Sequence, residues 1–227
     1  MSKFNLMASQ TVENYIKAIF QLTEREGGSV STSAISLQLA TSAASVTDML
    51  KKLAEQKLIE YVKYRGVHLT PAGKYMAVEM IRKHRLWETF LHDKLAIGWD
   101  AVHEIAEQLE HVQSATLIDQ LDAFLGHPKF DPHGDPIPDA SGKFTLRNQV
   151  LLNTLQAGDH ALVVGVREHD VDFLKYLDSR DLHINASLLI KEKHSYDGSV
   201  RIETTTGAET LLSPKAAQNI YVKKNLN

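Results

Sequence analysis

The run His103-Glu104-Ile105-Ala106-Glu107-Gln108-Leu109-Glu110-His111 sets two imidazoles and two carboxylates, those of His103, Glu107, Glu110 and His111, at spacings of three and four residues. On a helix this spacing stacks all four on one face. Side by side they repel or desolvate one another unless a cation sits among them. Imidazole nitrogen and carboxylate oxygen are also the donors that a divalent transition ion takes at roughly 2.0–2.3 Å. His84 and Glu88, four apart, make a second such pair upstream. The chain has no cysteine, so disulfides, zinc–thiolate sites and cysteine nucleophiles are excluded. Mixed oxygen and nitrogen donors favour manganese or ferrous iron, with zinc, cobalt, nickel and cadmium as substitutes in vitro.

Helices must position these groups. Val12, Tyr15, Ile16, Ile19, Phe20 and Leu22 form a helical stripe over residues 11–26, closed by Gly27-Gly28. Ser31-Thr32-Ser33 caps a short second helix with Ile35, Leu37 and Leu39 as its apolar positions. Thr41-Ser42 caps a third, through Val46, Met49, Leu50 and Leu53. Two extended runs follow, Leu58–Tyr64 and Val67–Thr70, joined at Arg65-Gly66. Helix, short helix, turn, helix and hairpin in this order predict a winged helix-turn-helix over residues 1–73. A long helix from Pro71 to Leu95, a metal-motif helix over 101–112 and one more to about Leu125 predict a helical metal-binding and dimerisation domain over 74–126. The proline-rich segment 127–148 reads as a tether, since residues 126–138 hold four of the six prolines. Strand-like runs at 161–166, 187–191, 200–204 and 220–223, with one helix near 170–179, predict an SH3-like β-barrel over 149–227. The fold class is therefore mainly α with a small β component.

The 227 residues carry a net charge of −3, but unevenly. Residues 1–75 sum to +3, residues 76–126 to −5 and the remainder to −1. A basic head and an acidic, histidine-rich middle suggest an anionic partner and a cation. The recognition helix presents Ser42, Ala43, Ala44, Ser45, Thr47 and Asp48 to double-stranded DNA. Small side chains there allow close approach to phosphate and methyl contact with thymine. Lys51 and Lys52, with Lys63 and Arg65 on the wing, can neutralise phosphates. No apolar run approaches the ~20 residues of a membrane span, and no secretory signal is visible at the N-terminus. The expected location is cytoplasmic, with no membrane partner.

Arg82-Lys83-His84-Arg85-Leu86-x-Glu88, then Val102-His103-Glu104-x-Ala106-Glu107-x-x-Glu110-His111, resembles the metal-dependent repressors typified by the diphtheria toxin repressor and the manganese transport regulators. Gly126-x-Pro128-Lys129-x-Asp131-Pro132-His133-Gly134-x-Pro136-Ile137-Pro138 looks like the tether of the three-domain members. The resemblance covers essentially the whole chain. It implies a C-terminal domain of the ferrous-transport accessory (FeoA) type. It also implies a homodimer that reads a palindromic operator of metal uptake genes, with the metal as corepressor. By the same resemblance Glu107, Glu110 and His111 match primary ligands, Glu107 standing where iron-responsive members have cysteine. His84, Glu88 and His103 match ancillary ligands, and a second site points to Glu88, Asp131, His133 and His169. The first helix departs from the family pattern. It reads Glu13-Asn14-Tyr15 where manganese members carry an aspartate, so Asn14 would donate a neutral carbonyl oxygen; Glu13 is the alternative replacement, though its neighbouring position points elsewhere on the helix. Lys17 stands where the small manganese regulators have a glutamate, which argues against a tight binuclear cluster.

Two other readings stand beside this one. A metal-dependent hydrolase with a DNA-binding appendage would use a glutamate as base beside a metal-bound water. The chain has no His-Glu-x-x-His, nucleophile elbow or phosphate loop. A winged-helix regulator sensing a non-metal ligand would be indifferent to chelators.

Overall fold

The computed structural model describes residues 9–62 and 66–224. Three helices open the chain: α1 (Gln10–Glu26), α2 (Thr32–Gln38) and α3 (Ala43–Glu55). Each begins at a serine, Ser9, Ser31 or Ser42, whose hydroxyl accepts a backbone N–H from Val12, Ala34 or Ser45. Such caps contribute about 1 kcal/mol each. Ile16, Ile19 and Leu22 of α1 and Val46, Leu50 and Leu53 of α3 are sealed from solvent. Burying a side chain of this kind stabilises by roughly 1.5–3 kcal/mol. Ile35 joins this core from α2, but Leu37 is 85% exposed. The sequence stripe paired the two. Residues two apart on a helix point to nearly opposite sides, so Leu37 cannot follow Ile35 inward.

Strands β1 (Ile59–Val62) and β2 (Gly66–Leu69) pair antiparallel, with Ile59 opposite Leu69 and Val62 opposite Gly66. Val30 bridges Val67 on the other side of β2. Gly66 belongs to the strand and not only to the turn. It has φ +87°, and a Cβ there would come within 2.8 Å of Ser29 Cβ. Lys63 and Arg65 lie outside the described residues.

Helix α4 (Pro71–Leu95) has the predicted bounds. Helix α5 (Val102–Leu109) is shorter than the predicted 101–112. Val112 N–H returns to the Leu109 carbonyl at 3.1 Å and closes a tight turn there. Glu110 and His111 therefore lie beyond the helix, not on its stripe. Helix α6 (Ala115–Phe124) follows. Leu86, Ile118, Leu121 and Ile137 form a small core, with Trp87 and Phe90 edge to face beside it.

The C-terminal part is an SH3-like β domain. It comprises β3 (Val150–Leu151), β4 (His160–Val166), α7 (Val171–Asp178), β5 (Ser187–Lys193), β6 (Val200–Thr204), β7 (Glu209–Leu212), α8 (Pro214–Ala217) and β8 (Ile220–Lys224). Its strands form one antiparallel sheet in the order β3-β8-β4-β5-β6-β7. Leu174 and Leu177 of α7 and Trp99 pack with the core of this sheet. Strands β3 and β7 escaped the sequence reading because two to four partly exposed residues carry too little alternation to be seen. No helix among the described residues is long and apolar enough to cross a membrane.

The chain divides into two compact units. The first holds the residues up to His84, with Leu109–Ser114 and Pro138–Lys143. The second holds Arg85–Gln108, Ala115–Ile137 and the residues from Phe144 onward.

Part of the proline-rich segment, composed like a tether, is folded. Asp131 Oδ1 accepts the backbone N–H groups of His133 and Asp135, at 2.9 and 3.0 Å. Phe130 bridges Pro136, and Ile137 N–H reaches the Lys129 carbonyl. Val166 N–H of β4 donates to His133 O. Gly134, at φ +87°, lets the backbone lie directly against Val164 and Gly165, where a Cβ would collide. Arg85 donates to Pro136 O at 2.6 Å and to Asp135 at 3.0 Å. Arg147 donates to Gly134 O and lies over the Phe130 ring at 4.0 Å. Composition marked where regular structure stops. It could not show that an aspartate and two arginines would satisfy the backbone instead.

Candidate metal centres and nucleic-acid interface

In the first unit, α1 places Glu13, Asn14 and Lys17 within one turn of each other. Glu110 is fully buried, and its Oε2 accepts from Lys17 Nζ at 2.6 Å. His84 Nδ1 lies 2.6 Å from the same oxygen and 3.2 Å from Lys17 Nζ. The other oxygen, Glu110 Oε1, is buried with no hydrogen-bond partner, and so is Asn14 Oδ1. A buried polar atom left unsatisfied costs about 1–3 kcal/mol, so each needs a reason to be there. An oxygen-seeking cation is a reason that fits both atoms.

His111, next in the chain to Glu110, is held by Glu13 of α1. Glu13 does not point away. Its side chain is buried, and Oε2 lies 2.6 Å from His111 Nδ1, while Oε1 accepts from Gln113 Nε2 at 2.5 Å. A carboxylate on Nδ1 fixes the imidazole and leaves Nε2 as the free donor, the arrangement that orients metal-binding histidines. No signal in the sequence separated Glu13 from any other glutamate of an amphipathic helix.

In the second unit Glu88, Asp131 and His133 converge, their donor atoms all within 4.8 Å of one another and all three residues buried. His133 Nε2 is 2.7 Å from the Trp99 carbonyl, which can only accept, so Nε2 carries a hydrogen. Its Nδ1 is buried, has no hydrogen-bond partner and stands 3.7 Å from Glu88 Oε2. Asp131 Oδ2 is likewise unsatisfied, with Arg85 Nε no nearer than 3.5 Å. Burial lowers the tendency of His133 to charge, but Glu88, Asp131 and the Trp99 carbonyl outweigh it and push the group up to about 9. Asp131 is raised above the usual carboxylate range by burial, with Asp135 and Glu88 adding to the rise. Two carboxylates and an imidazole thus share a pocket that calls for positive charge, from protons or from a metal.

His103 Nδ1 lies 3.1 Å from Glu88 Oε1, and its Nε2 3.6 Å from Glu107 Oε1. His169 stacks on the His133 ring at 4.5 Å with Nε2 3.9 Å from Asp135, and burial lowers its pKa. Of the sequence-predicted ligands, the structure thus gathers Glu88, Asp131 and His133 with His103 against Glu88. In the first unit it gathers His84 with Glu110, and leaves oxygens of Asn14 and Glu110 unsatisfied.

For the nucleic-acid face, α3 turns Val46, Leu50 and Leu53 inward and leaves Ser42, Ala43, Ala44, Ser45, Asp48, Lys51 and Lys52 exposed. Thr47 is half-buried and donates to Ala43 O. Lys51 pairs with Asp48 at 3.1 Å on the surface, a contact weak enough to yield to a phosphate.

Three family models cover most of the chain. Residues 7–67 match the iron dependent repressor N-terminal DNA binding domain, and 70–139 match the iron dependent repressor metal binding and dimerisation domain. Residues 150–224 match the FeoA domain. The chain is 30% identical to the iron-dependent repressor IdeR of Mycobacterium leprae over 228 residues, covering 94% of this chain and 97% of that one. It is 35% identical to the HTH-type transcriptional regulator MntR of Bacillus pumilus over 115 residues, 51% of this chain and 78% of that one. Among solved structures it resembles a manganese-dependent transcriptional repressor in complex with manganese, with a TM-score of 0.84, 34% identity and coverage of 94% and 100%.

Proposed function

Since this chain belongs to the iron-dependent repressor family, and so is a metal-dependent DNA-binding transcriptional repressor and not an enzyme, we propose that manganese is its corepressor. The observation that carries this reading is the pair of buried oxygens without hydrogen-bond partners, Asn14 Oδ1 and Glu110 Oε1, with His111, next in the chain to Glu110, fixed by Glu13. Hard oxygens with one nitrogen and no thiolate suit manganese, then ferrous iron; zinc, cobalt, nickel and cadmium would substitute in vitro. Asn14, Glu110 and His111 hold the primary ion. Glu88, Asp131, His133 and His103 hold a second. Bound there, the ion supplies the positive charge these groups lack and joins α1 to the Glu110–His111 turn. Metal binding then favours the DNA-competent arrangement over others by its difference in affinity for them.

The domain limits 1–73, 74–126, 127–148 and 149–227 follow the same reading. A homodimer sets one α3 into each of two successive major grooves of a palindromic operator, one helical turn apart. Lys51, Lys52 and the wing residues Lys63 and Arg65 contact phosphate. The targets, by resemblance, are metal uptake genes. None of the relatives described above is a hydrolase. The test is DNA binding to a candidate promoter pool, titrated with manganese, ferrous iron, zinc and chelator. Manganese should tighten binding at micromolar concentrations. Equal affinity in manganese and in excess chelator would refute the metal requirement.

A further inference from the structure

Helix α3 sets a carboxylate in the middle of its exposed face. Asp48 is the first acidic residue of the helix, and its side chain is 71% exposed. At about 3.6 residues per turn it lies almost diametrically opposite Val46, Leu50 and Leu53, the stripe that faces the core. Ala44 stands one turn before it and Lys51 and Lys52 one turn after, all exposed. The other polar side chains at the start of the helix are engaged on the helix itself. Ser42 Oγ accepts from Ser45 N–H and lies 2.9 Å from Ser45 Oγ, and Thr47 donates to Ala43 O. Asp48 instead accepts from Lys51 Nζ at 3.1 Å, across an exposed pair that binds weakly. A phosphate that draws Lys51 away leaves the carboxylate facing a polyanion, which repels it unless it meets a hydrogen-bond donor.

The major groove offers donors unevenly. Cytosine presents its N4 amino group. Adenine presents an N6 amino group beside N7, an acceptor that repels a carboxylate. Guanine and thymine present only acceptors, with the methyl group of thymine beside them. Resting on the reading of α3 as the DNA-facing helix, we propose that Asp48 is a specificity-determining residue that reads cytosine, so that the half-site under each α3 holds a C·G pair at one fixed position. Lys51 on a phosphate holds the helix in place, and Asp48 rejects the other base pairs by setting a carboxylate against an acceptor.

The experiment selects tight binders from a randomised duplex pool with the manganese-loaded full chain, in parallel for the unaltered protein, Asp48→Asn and Asp48→Ala. The unaltered protein should enrich a C·G pair at one position of the half-site. Replacing that pair by T·A in the selected duplex should weaken binding roughly tenfold or more. Asp48→Asn should select A·T at the same position, because a carboxamide accepts from N6 and donates to N7. Asp48→Ala should accept all four pairs there, keep the preferences elsewhere and bind unrelated DNA more tightly, since a repelling charge has gone. The same C·G requirement in both variants overturns the proposal. So does a change in affinity that is uniform across sequences, which is all that a general electrostatic role predicts. Thermal melts establish that the variants fold. Ala44→Glu, on the same face, tests the underlying reading separately. A second carboxylate there should abolish enrichment, and selection unchanged from the unaltered protein would overturn the assignment of α3 as the helix that faces DNA.

Discussion

Two clusters of buried carboxylates and imidazoles, one in each compact unit, meet the same electrostatic problem by different means. In the first, the Lys17 side chain sits against the buried oxygen of Glu110, and Glu13 engages His111. In the second, the nearest guanidinium, Arg85, is committed to Pro136 O and Asp135 and comes only within 3.5 Å of Asp131. There no lysine or arginine among the described residues sits within hydrogen-bond distance of the unsatisfied Asp131 oxygen, and burial with the neighbouring carboxylates pushes Asp131 upward while Glu88 and Asp131 push His133 upward. A buried charge paired with another side chain's charge is bound to depend on that partner. A buried charge compensated by protons can exchange them for a metal without disturbing its neighbours.

Four experiments would break or sharpen this contrast. The largest effect is expected for Glu110→Ala. It strips Lys17 of its counter-charge as well as removing a ligand. Stability should fall by about 3–5 kcal/mol, the usual cost of breaking a buried pair, and metal-activated DNA binding should disappear. His111→Ala should abolish activation with a much smaller loss of stability. Denaturant melts of the two apo variants give the comparison, and equal stabilities would mean that the Lys17–Glu110 pair contributes nothing.

Asp131→Asn in the second centre should behave in the opposite manner. It keeps the Oδ1 that accepts from His133 and Asp135 and removes only the charge beside Glu88. Stability of the apo protein should hold or rise slightly, while one class of manganese site weakens by roughly 10–100-fold, as for changes around other metal ligands. Calorimetry measures both sites in one titration. A large loss of apo stability would place the charge of Asp131, and not its turn, among the structural contacts.

Asn14→Asp should tighten manganese activation by about 1–2 kcal/mol, the size of one charge-assisted contact. The readout is the manganese dose–response of operator binding measured by anisotropy. An unchanged curve would remove residue 14 from the ligand set. The smallest effects belong to the DNA face. Lys51→Ala and Lys52→Ala should each weaken operator binding about equally across sequences and reduce the salt slope by about 1. A change confined to one operator sequence would instead assign base contact to that lysine.

Much of this was legible in the chain. The serine caps, the 3.6-residue stripes of α1 and α3 and the hairpin signal depend on near neighbours, and periodicity reports them directly. The long helix α4 came out with its observed ends because Pro71 and the Gly98 break frame it. The candidate metal donors stood out as residue types, because few other uses explain so many carboxylates and imidazoles at helical spacing. Leu37, β3, β7 and the length of α5 were misread or missed where local pattern was too short or too weak to decide.

What the sequence determined by itself, then, is which residues could bind a cation and on which elements they ride. Only the tertiary structure decided how each is compensated. It paired Glu13 with His111 across 98 positions and Lys17 with Glu110 across 93, and it turned a proline-rich stretch into a folded arm that buries Asp131 and His133. The reason is physical. Hydrophobic periodicity is a local property, written in neighbours. The partner of a buried charge is chosen by whichever group the packed fold brings within hydrogen-bond distance, and no spacing along the chain encodes that.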